Sequence, residues 1–497
     1  MKKIASALMA CLLLTACTNQ GSQDGDYTKF MPVDHRQLAD SWEEYREKGI
    51  QTRRFKHEQL HKVFSSATRW QSEEVGRSIE GLPIYEYRIG NGPVVVFLWS
   101  QMHGDESTAT MALADIFHFF EASDKWDDFR NKLLGELTII AIPMLNPDGA
   151  ARFRRRNLLD IDINRDAMRL ESPEAALLKA RRDHHDAVWG FNLHDQNRYY
   201  AAGNKPDHAT ISFLAPAYNH EKEVNESRGN AMRLIGIMRD VLQEYIPDQL
   251  AKYDDTFEPR AFGDNIQKWG TSTILIESGA MPGDPEKQEI RKLNYVALLS
   301  ALQAIANKAY AYKSLQTYDE LPFNDSNRFF DVLLREVQVE RTDKWVTGDL
   351  GVRRIEVNNE DATDYYFKGS LVDMGDLSTY YAYEDIHGQG KQAVAGKVYE
   401  KVLESTDELK KLDPLALLKE GIAYVRLRQK PDPMYQKGLP LVLLGTTEKP
   451  DTAVVYDSNV SVLIQAEGTT ELVIARGVGY DLEKDAAKIK ERWAALN

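Results

Sequence analysis

Cysteine is almost missing from this chain: of 497 residues only Cys11 and Cys17 carry a thiol. Everything after Cys17 can therefore form no internal disulfide and can build no metal site on thiolates. A surplus of positive charge is missing too. Lys and Arg number 62 against 76 Asp and Glu, a formal charge of −14, which argues against nucleic acid as a partner. Long apolar runs are scarce, and beyond residue 16 none approaches the length of a membrane-spanning helix. No internal repeat is present. With 43% hydrophobic and 28% charged residues the composition is globular, and the length suits about two to four domains whose cores need no covalent staple.

The first residues follow a different rule. Met1-Lys2-Lys3 precedes an apolar run, Ile4 to Leu14, that is too short to span a bilayer comfortably and ends in small residues, the pattern of a signal peptide over residues 1–16. Leu14-Thr15-Ala16-Cys17 resembles a bacterial lipobox, which implies a lipidated Cys17 as mature amino terminus and contact with a membrane only through that anchor. Thr18 rather than aspartate after the cysteine favours, by the same resemblance, the outer membrane, on its periplasmic side or at its surface. Residues 17–36 then read as the lipidated cysteine and a polar, flexible tether. Loss of Lys2 and Lys3, with no acidic residue, moves the charge from −14 to −16.

The folded body is organised by strands that end in polar residues. Val94-Val95-Val96-Phe97-Leu98 is a short, β-branched apolar run of the kind that forms a fully buried strand, and it delivers His103 and Glu106 on a glycine-containing turn before a helix beginning near Ser107. Leu137 to Met144 is a second buried strand and runs into the loop Asn146-Pro147-Asp148-Gly149. Trp189 to His194 is a third and Thr273 to Glu277 a fourth. Helical patterns over residues 38–64, 173–188, 221–245 and 285–312 lie before, between and after them, and a hairpin turns at Glu80-Gly81. Strands alternating with helices predict a mostly parallel sheet covered on both faces.

In such sheets ligands bind outside the carboxyl ends of the strands. Two histidines and one glutamate form the open, catalytic kind of zinc site, with a further carboxylate available as general base. Each residue alone has a plainer reading. His-x-x-Glu can be a surface pair, and His184-His185, inside the charged helical run Arg181 to Asp186, read as a solvated face. Glu277 is an odd end for the buried run Ile274-Leu275-Ile276 unless it is paired or functional.

Taken in order over residues 70–312, these motifs resemble the zinc metallocarboxypeptidases, the family of the pancreatic digestive carboxypeptidases. The resemblance implies a doubly wound α/β fold around a mixed sheet. It also implies one zinc ion held by His103, Glu106 and His194, with Glu277 as the base that activates water. Arg155-Arg156-Asn157 and Asp162-Ile163-Asn164-Arg165 resemble the family's Arg-x-Asn and Asp-x-Asn-Arg stretches. In that reading Arg155 holds the oxyanion, with Arg156 as its rival because three successive arginines blur the register, and Asn164 and Arg165 grip the substrate's terminal carboxylate. Tyr253 is the best match to a substrate-binding tyrosine on a mobile loop, although its surroundings differ from those of the digestive enzymes. Arg260 is a candidate contact for an acidic terminal group, as in murein peptides, or a structural salt bridge.

The expected catalytic domain spans residues 37–312. Beyond it, strand patterns at residues 332–340, 348–355, 365–377, 441–444 and 461–464, with helices near 394–410 and 481–495, predict a β-rich accessory region, one or two small modules without a catalytic constellation. The function expected is zinc-dependent hydrolysis of a carboxyl-terminal peptide or amide bond, on murein or dietary peptides at the cell envelope. The alternatives are a zinc-dependent deacylase of N-acyl amino acids and an inactive peptide- or glycan-binding lipoprotein that keeps the fold.

Overall fold

The computed structural model describes residues 33–496, so the expected signal peptide and the expected lipidation site at Cys17 lie outside the described residues. Helix α1 (His35–Tyr45), capped by Asp34, starts within the span expected to be tether, and its buried face includes Leu38, Trp42 and Tyr45. The charged stretch read as one helix is two, because α2 (His57–Ser65) starts after an irregular segment that contains Gly49.

The chain then builds the hairpin β1 (Gln71–Arg77) and β2 (Pro83–Ile89), followed by β3 (Val94–Ser100), α3 (Thr108–Glu121), α4 (Asp127–Glu136), β4 (Leu137–Ile142) and α5 (Pro147–Ala151). Next come α6 (Pro173–His185), β5 (Trp189–Asp195), β6 (Ala201–Ala202), β7 (Ile211–Leu214) and α7 (Glu226–Gln243). The series closes with β8 (Leu250–Lys252), α8 (Phe262–Lys268), β9 (Ser272–Ser278) and α9 (Gln288–Ala306). Eight of these strands form one sheet in the order β1-β2-β4-β3-β5-β9-β7-β8. The centre, β4-β3-β5-β9, is parallel, as is the pair β7-β8, while the pairs β1-β2, β2-β4 and β9-β7 are antiparallel, so the sheet is mixed with a parallel centre.

The unbroken apolar run of β3 follows from burial on both faces. Val96 and Leu98 join a core formed with α1, α3, α7 and α9, and Phe97 and Trp99 join a second core with Leu178 of α6 and Phe262 and Ile266 of α8. β3 has its sequence predecessor β2 and successor β4 on one side and β5 on the other. Its carboxyl end therefore opens at the point where the order reverses, where a crevice must form.

The β-rich region follows α10 (Gln316–Asp319). β10 (Asn324–Asp325) pairs with β6 of the preceding domain, and the first core reaches Tyr318 and Leu321, so the two parts interlock past residue 312. β11 (Phe329–Arg341), β12 (Lys344–Asn358), β13 (Tyr365–Gly375), β14 (Tyr381–His387) and β15 (Gln392–Ala395) share a second sheet with strands at Val462–Ala466, Thr469–Ala475 and Val478–Asp481. The helix expected near residues 394–410 is a correction: β15 and β16 (Lys397–Leu403) occupy most of it, and only α11 (Thr406–Leu409) is helical. In β16, Val398, Tyr399 and Val402 favour extended backbone, and the strand pairs in parallel with Ile422–Leu427. No helix among the described residues is long and apolar enough to cross a membrane.

Candidate active site

The turn after β3 is shaped by a close approach. A Cβ on Gly104 would lie 2.0 Å from the carbonyl carbon of Gly149, so only glycine lets this turn rest on the loop that follows β4. The loop holds it there: the backbone N–H of Asn146 donates to Gln101 O at 2.9 Å and the Asn146 amide donates to Met102 O at 3.2 Å. Gln101 itself sits at φ 43°, a left-handed conformation rare for a residue with a side chain, at the turn that delivers the candidate ligands.

His103 and Glu106 leave this turn, and His194 comes from β5 beside it. Their donor atoms all fall within 4.8 Å of one another, and all three residues are buried. Glu106 Oε1 lies 2.7 Å from His103 Nδ1, Glu106 Oε2 lies 2.6 Å from His194 Nδ1, and the two Nδ1 atoms are 3.1 Å apart. Two imidazole nitrogens and a carboxylate converging on one point fit the donor set of a zinc ion. The far side of His103 is also fixed, since its Nε2 meets Asp162 Oδ1 at 3.0 Å, the kind of carboxylate–histidine contact that orients metal ligands. Residues His103, Glu106 and His194 therefore suit the metal that their chemistry suggests.

Charge is distributed unevenly across the cluster. Burial would raise Glu106, but His103 and His194 hold it well below the usual carboxylate range. Burial would lower His103, but the Glu106 charge and the Asp162 hydrogen bond outweigh it and hold the ring up to about 9. His194 is pulled down by burial in spite of Glu106. Glu277 behaves oppositely to Glu106: burial, then the charge of Glu106, lifts it well above the ordinary carboxylate range. The two carboxylates are thus pushed apart, Glu106 towards its ionised form and Glu277 towards its protonated form.

Above the cluster lies a cleft of about 960 Å³ whose lining includes His103, Glu106, Arg155, Asn164, Arg165, Tyr253 and Glu277, with His194 buried at its base. Arg155 faces the cluster, with Nη1 3.1 Å from both Glu106 Oε1 and His103 Nδ1, and its Nε and Nη2 donate to Asp162 Oδ2 at 3.1 and 3.0 Å. Arg156 points elsewhere and donates to Asp160 O at 2.8 Å. Asn164 accepts from the backbone N–H of Phe262 at 2.9 Å, which ties the 3-10 turn Ile163–Arg165 to the start of α8. Arg165 is part-exposed in the cleft, 3.6 Å from Glu258. Tyr253, on the loop after β8, has its hydroxyl pKa pushed up by burial and by Glu277, so it stays protonated at neutral pH. Arg260 is absent from the cleft lining; it is paired with Glu258 at 2.9 and 3.0 Å, the salt-bridge alternative.

Three contributors escape a reading of the sequence. Asp162 is visible there only as part of an Asn-Arg motif, and its place two residues before Asn164 is the available signal. Asp195, next to His194, accepts from Thr108 at 2.6 Å and from Lys287 at 2.9 Å, while its backbone N–H donates to Glu106 at 3.2 Å. Asn192 lines the cleft floor and gives no signal beyond its polarity within a buried strand.

The zinc carboxypeptidase family model matches residues 58–240, a span that holds His103, Glu106, Arg155, Asn164, Arg165 and His194 but stops short of Tyr253 and Glu277. The chain is 26% identical over 176 residues to Carboxypeptidase SOL1 of Arabidopsis thaliana, covering 29% of this chain and 35% of that protein. It is 29% identical over 138 residues to Carboxypeptidase 2 of Trichophyton tonsurans, covering 27% and 24%. The matches thus span about a third or less of these relatives' length. Among solved structures, a metallo-carboxypeptidase from Burkholderia cenocepacia aligns with TM-score 0.42 and 16% identity over 51% of this chain and 70% of that one. Carboxypeptidase A from Helicoverpa armigera aligns with TM-score 0.39 and 16% identity over 55% and 80%.

Proposed function

Since this chain belongs to the zinc carboxypeptidase family through its residues 58–240, we propose that it is a zinc-dependent carboxypeptidase that removes the terminal residue of a peptide with a free carboxylate. The observation that carries the proposal is the convergence of His103, Glu106 and His194 within 4.8 Å beneath a cleft that also holds Glu277, Arg155 and Arg165.

When bound, zinc supplies a Lewis acid that polarises the scissile carbonyl and makes water easier to deprotonate. His103, Glu106 and His194 hold it, and Asp162 fixes the ring of His103. Glu277, in its ionised form, takes a proton from the attacking water and passes it to the departing amine nitrogen. The Arg155 guanidinium offers fixed positive charge to the oxygen that becomes anionic, a contribution often worth about 10²–10³ in rate. Asn164 and Arg165 bind the terminal carboxylate, for which a planar guanidinium is suited. Tyr253 donates a hydrogen bond to the substrate.

We extend the proposal to place and substrate. The Lys2-Lys3 segment and the Leu14-Thr15-Ala16-Cys17 motif support a lipid anchor at the cell envelope, where murein or dietary peptides are the substrates available. The test is release of a terminal amino acid from paired peptides, one with a free carboxylate and one amidated, with and without a chelator, beside an N-acyl amino acid. The proposal expects chelator-sensitive release from the free peptide alone. Release confined to the N-acyl amino acid assigns the deacylase alternative, and zinc-loaded protein that cleaves none of them assigns the inactive binding protein.

A further inference from the structure

A second cavity, of about 360 Å³, lies where the two parts of the chain meet. Its wall on the catalytic side carries Arg53, Arg198 and Lys287, and its wall from the β-rich region carries Arg354 of β12. The cavity borders the catalytic cleft. Asp195 and Asn197 line the cleft, while Lys287, which donates to Asp195 at 2.9 Å, and Arg198, next to Asn197 in the chain, line the cavity. Four cationic side chains around one buried space need partners.

The carboxylates nearby are shared or engaged elsewhere. Buried Asp331 serves two arginines: its Oδ1 lies 3.2 Å from Arg198 Nη2 and 3.4 Å from Arg354 Nε, while its Oδ2 accepts from Tyr199 at 2.6 Å and from the backbone N–H of Arg354 at 2.8 Å. Glu356 likewise serves both Arg53 and Arg54. Glu286 accepts from the backbone N–H of Arg53 at 2.9 Å and stands 3.8 Å from its Nε. Asp284 caps α9, accepting from the backbone N–H groups of Gln288 and Glu289 at 2.7 and 2.9 Å. Glu384 rests against the backbone of Gly479 and is lifted by burial, with Arg354 opposing.

Three donors are left over. The Nε–H groups of Arg53, Arg198 and Arg354 are buried and have no acceptor in hydrogen-bond geometry. Arginine cannot shed its charge to escape this, and buried polar groups are normally satisfied. Two of the three guanidinium groups are also held in place: Arg198 is stacked on Tyr383 at 4.0 Å and Arg354 on Phe367 at 4.1 Å from the ring centroids. The space before them exceeds the share of a single water by about tenfold, enough for a ligand of several heavy atoms.

We propose that this cavity is an oxoanion site, taking a carboxylate or phosphate group among Arg53, Arg198 and Arg354. A planar guanidinium offers N–H groups in the fork that matches two oxygens of such a group. An apolar ligand would leave the three donors unsatisfied, and a cation would meet like charge. Two sources present the right chemistry: a free anion, and an acidic side chain upstream of the scissile bond in a peptide lying in the adjoining cleft. The site itself stands without the carboxypeptidase reading, and the second source alone depends on it.

The experiment titrates zinc-loaded protein with inorganic phosphate and, separately, acetate in a calorimeter, at an ionic strength held constant with chloride. The proposal expects saturable binding of at least one of them that Arg165→Ala retains and that Arg198→Gln and Arg354→Gln each weaken by at least about tenfold. Either arginine variant leaves Asp331 the other arginine, so both should unfold at temperatures close to that of the unaltered protein. Saturable binding of neither anion overturns the site and leaves its donors to water, and this result needs no variant to fold. Binding that survives both arginine variants, or that is lost in Arg165→Ala, places the anion in the catalytic cleft and overturns the site as well. Peptides with glutamate or glutamine at the second or third position before a common terminal residue then distinguish the sources. A glutamate preference of at least about tenfold in kcat/KM, lost in Arg198→Gln and competed by the free anion, assigns the site to the substrate. Equal turnover assigns it to a free anion. Anion binding without turnover of any peptide keeps the site and removes the carboxypeptidase reading, and turnover without anion binding does the reverse.

Discussion

His194 and Glu277 are cross-strand partners in the parallel pair formed by β5 and β9. One register therefore places a candidate metal ligand and the candidate base on the same face. A slip of one residue would turn either of them into the opposite core. The flanking residues Phe191, Leu193, Ile274 and Ile276 belong to that core and lock the register.

The metal cluster predicts a graded response to mutation. His103→Ala and His194→Ala should each lose most bound zinc, because a three-ligand site cannot spare one. Asp162→Asn should keep the three ligands and lower metal affinity by about 10- to 100-fold, since it loosens the ring of His103. Competition with a chromogenic chelator measures all three. Full zinc retention in both histidine variants contradicts the assignment.

Arg165 predicts a substrate-dependent loss. Arg165→Ala should weaken binding of peptides with a free terminal carboxylate by about 1.5–3 kcal/mol, the range for a hydrogen bond to a charged group. An amidated peptide should be affected far less. Equal losses on both, measured by inhibition constants, would place Arg165 outside the carboxylate site.

The junction between the two parts of the chain has its own weak point. Arg54 lies between the rings of Phe153 and Tyr365, 4.0 Å from each centroid, and its Nη2 donates to Glu356 Oε2 at 2.7 Å. Arg53 reaches the other oxygen of Glu356 at 2.7 Å. With the Arg54 side chain only 2% exposed, Glu356→Gln leaves a buried charge poorly paired and should cost about 3 kcal/mol in denaturant unfolding. Unaltered stability would mean that the rings alone carry the junction.

His208 predicts an acid-sensitive joint. It is stacked on Phe329 at 3.9 Å and on Tyr383 at 4.5 Å, and burial together with Arg198 lowers its pKa from 6.5 to about 4. The unfolded chain binds the proton more readily than the folded one, so stability rises with pH across that window. The contribution is complete above about 6.5 and is lost as the pH falls towards about 4. His208→Phe should unfold at a temperature closer to its pH 7 value when measured at pH 5 than the unaltered protein does. Equal losses in the two proteins would show that other groups set the acid response.

How much of this was legible in the sequence follows from burial and length. β3, β4, β5 and β9 announce themselves as apolar runs because both faces are covered, and the ligands follow from the residues at their ends. β7 and β8, with 4 and 3 residues, are too short to carry a period. The choice between Arg155 and Arg156 could not be read from three consecutive arginines, because it depends on which one the turn at Phe153, with φ 45°, aims at Glu106. Lys397 to Leu403 mixes charged and β-branched residues as a surface helix can, and its pairing with a distant strand decides the matter.

The most direct test is Glu277→Gln, followed through zinc content, thermal unfolding and turnover on one preparation. A carboxylate that acts by moving a proton contributes in the transition state, so the variant should stay folded and zinc-loaded and keep its substrate affinity while kcat falls by about 10²–10⁴-fold. A folded, zinc-loaded variant with near-normal turnover would contradict the account.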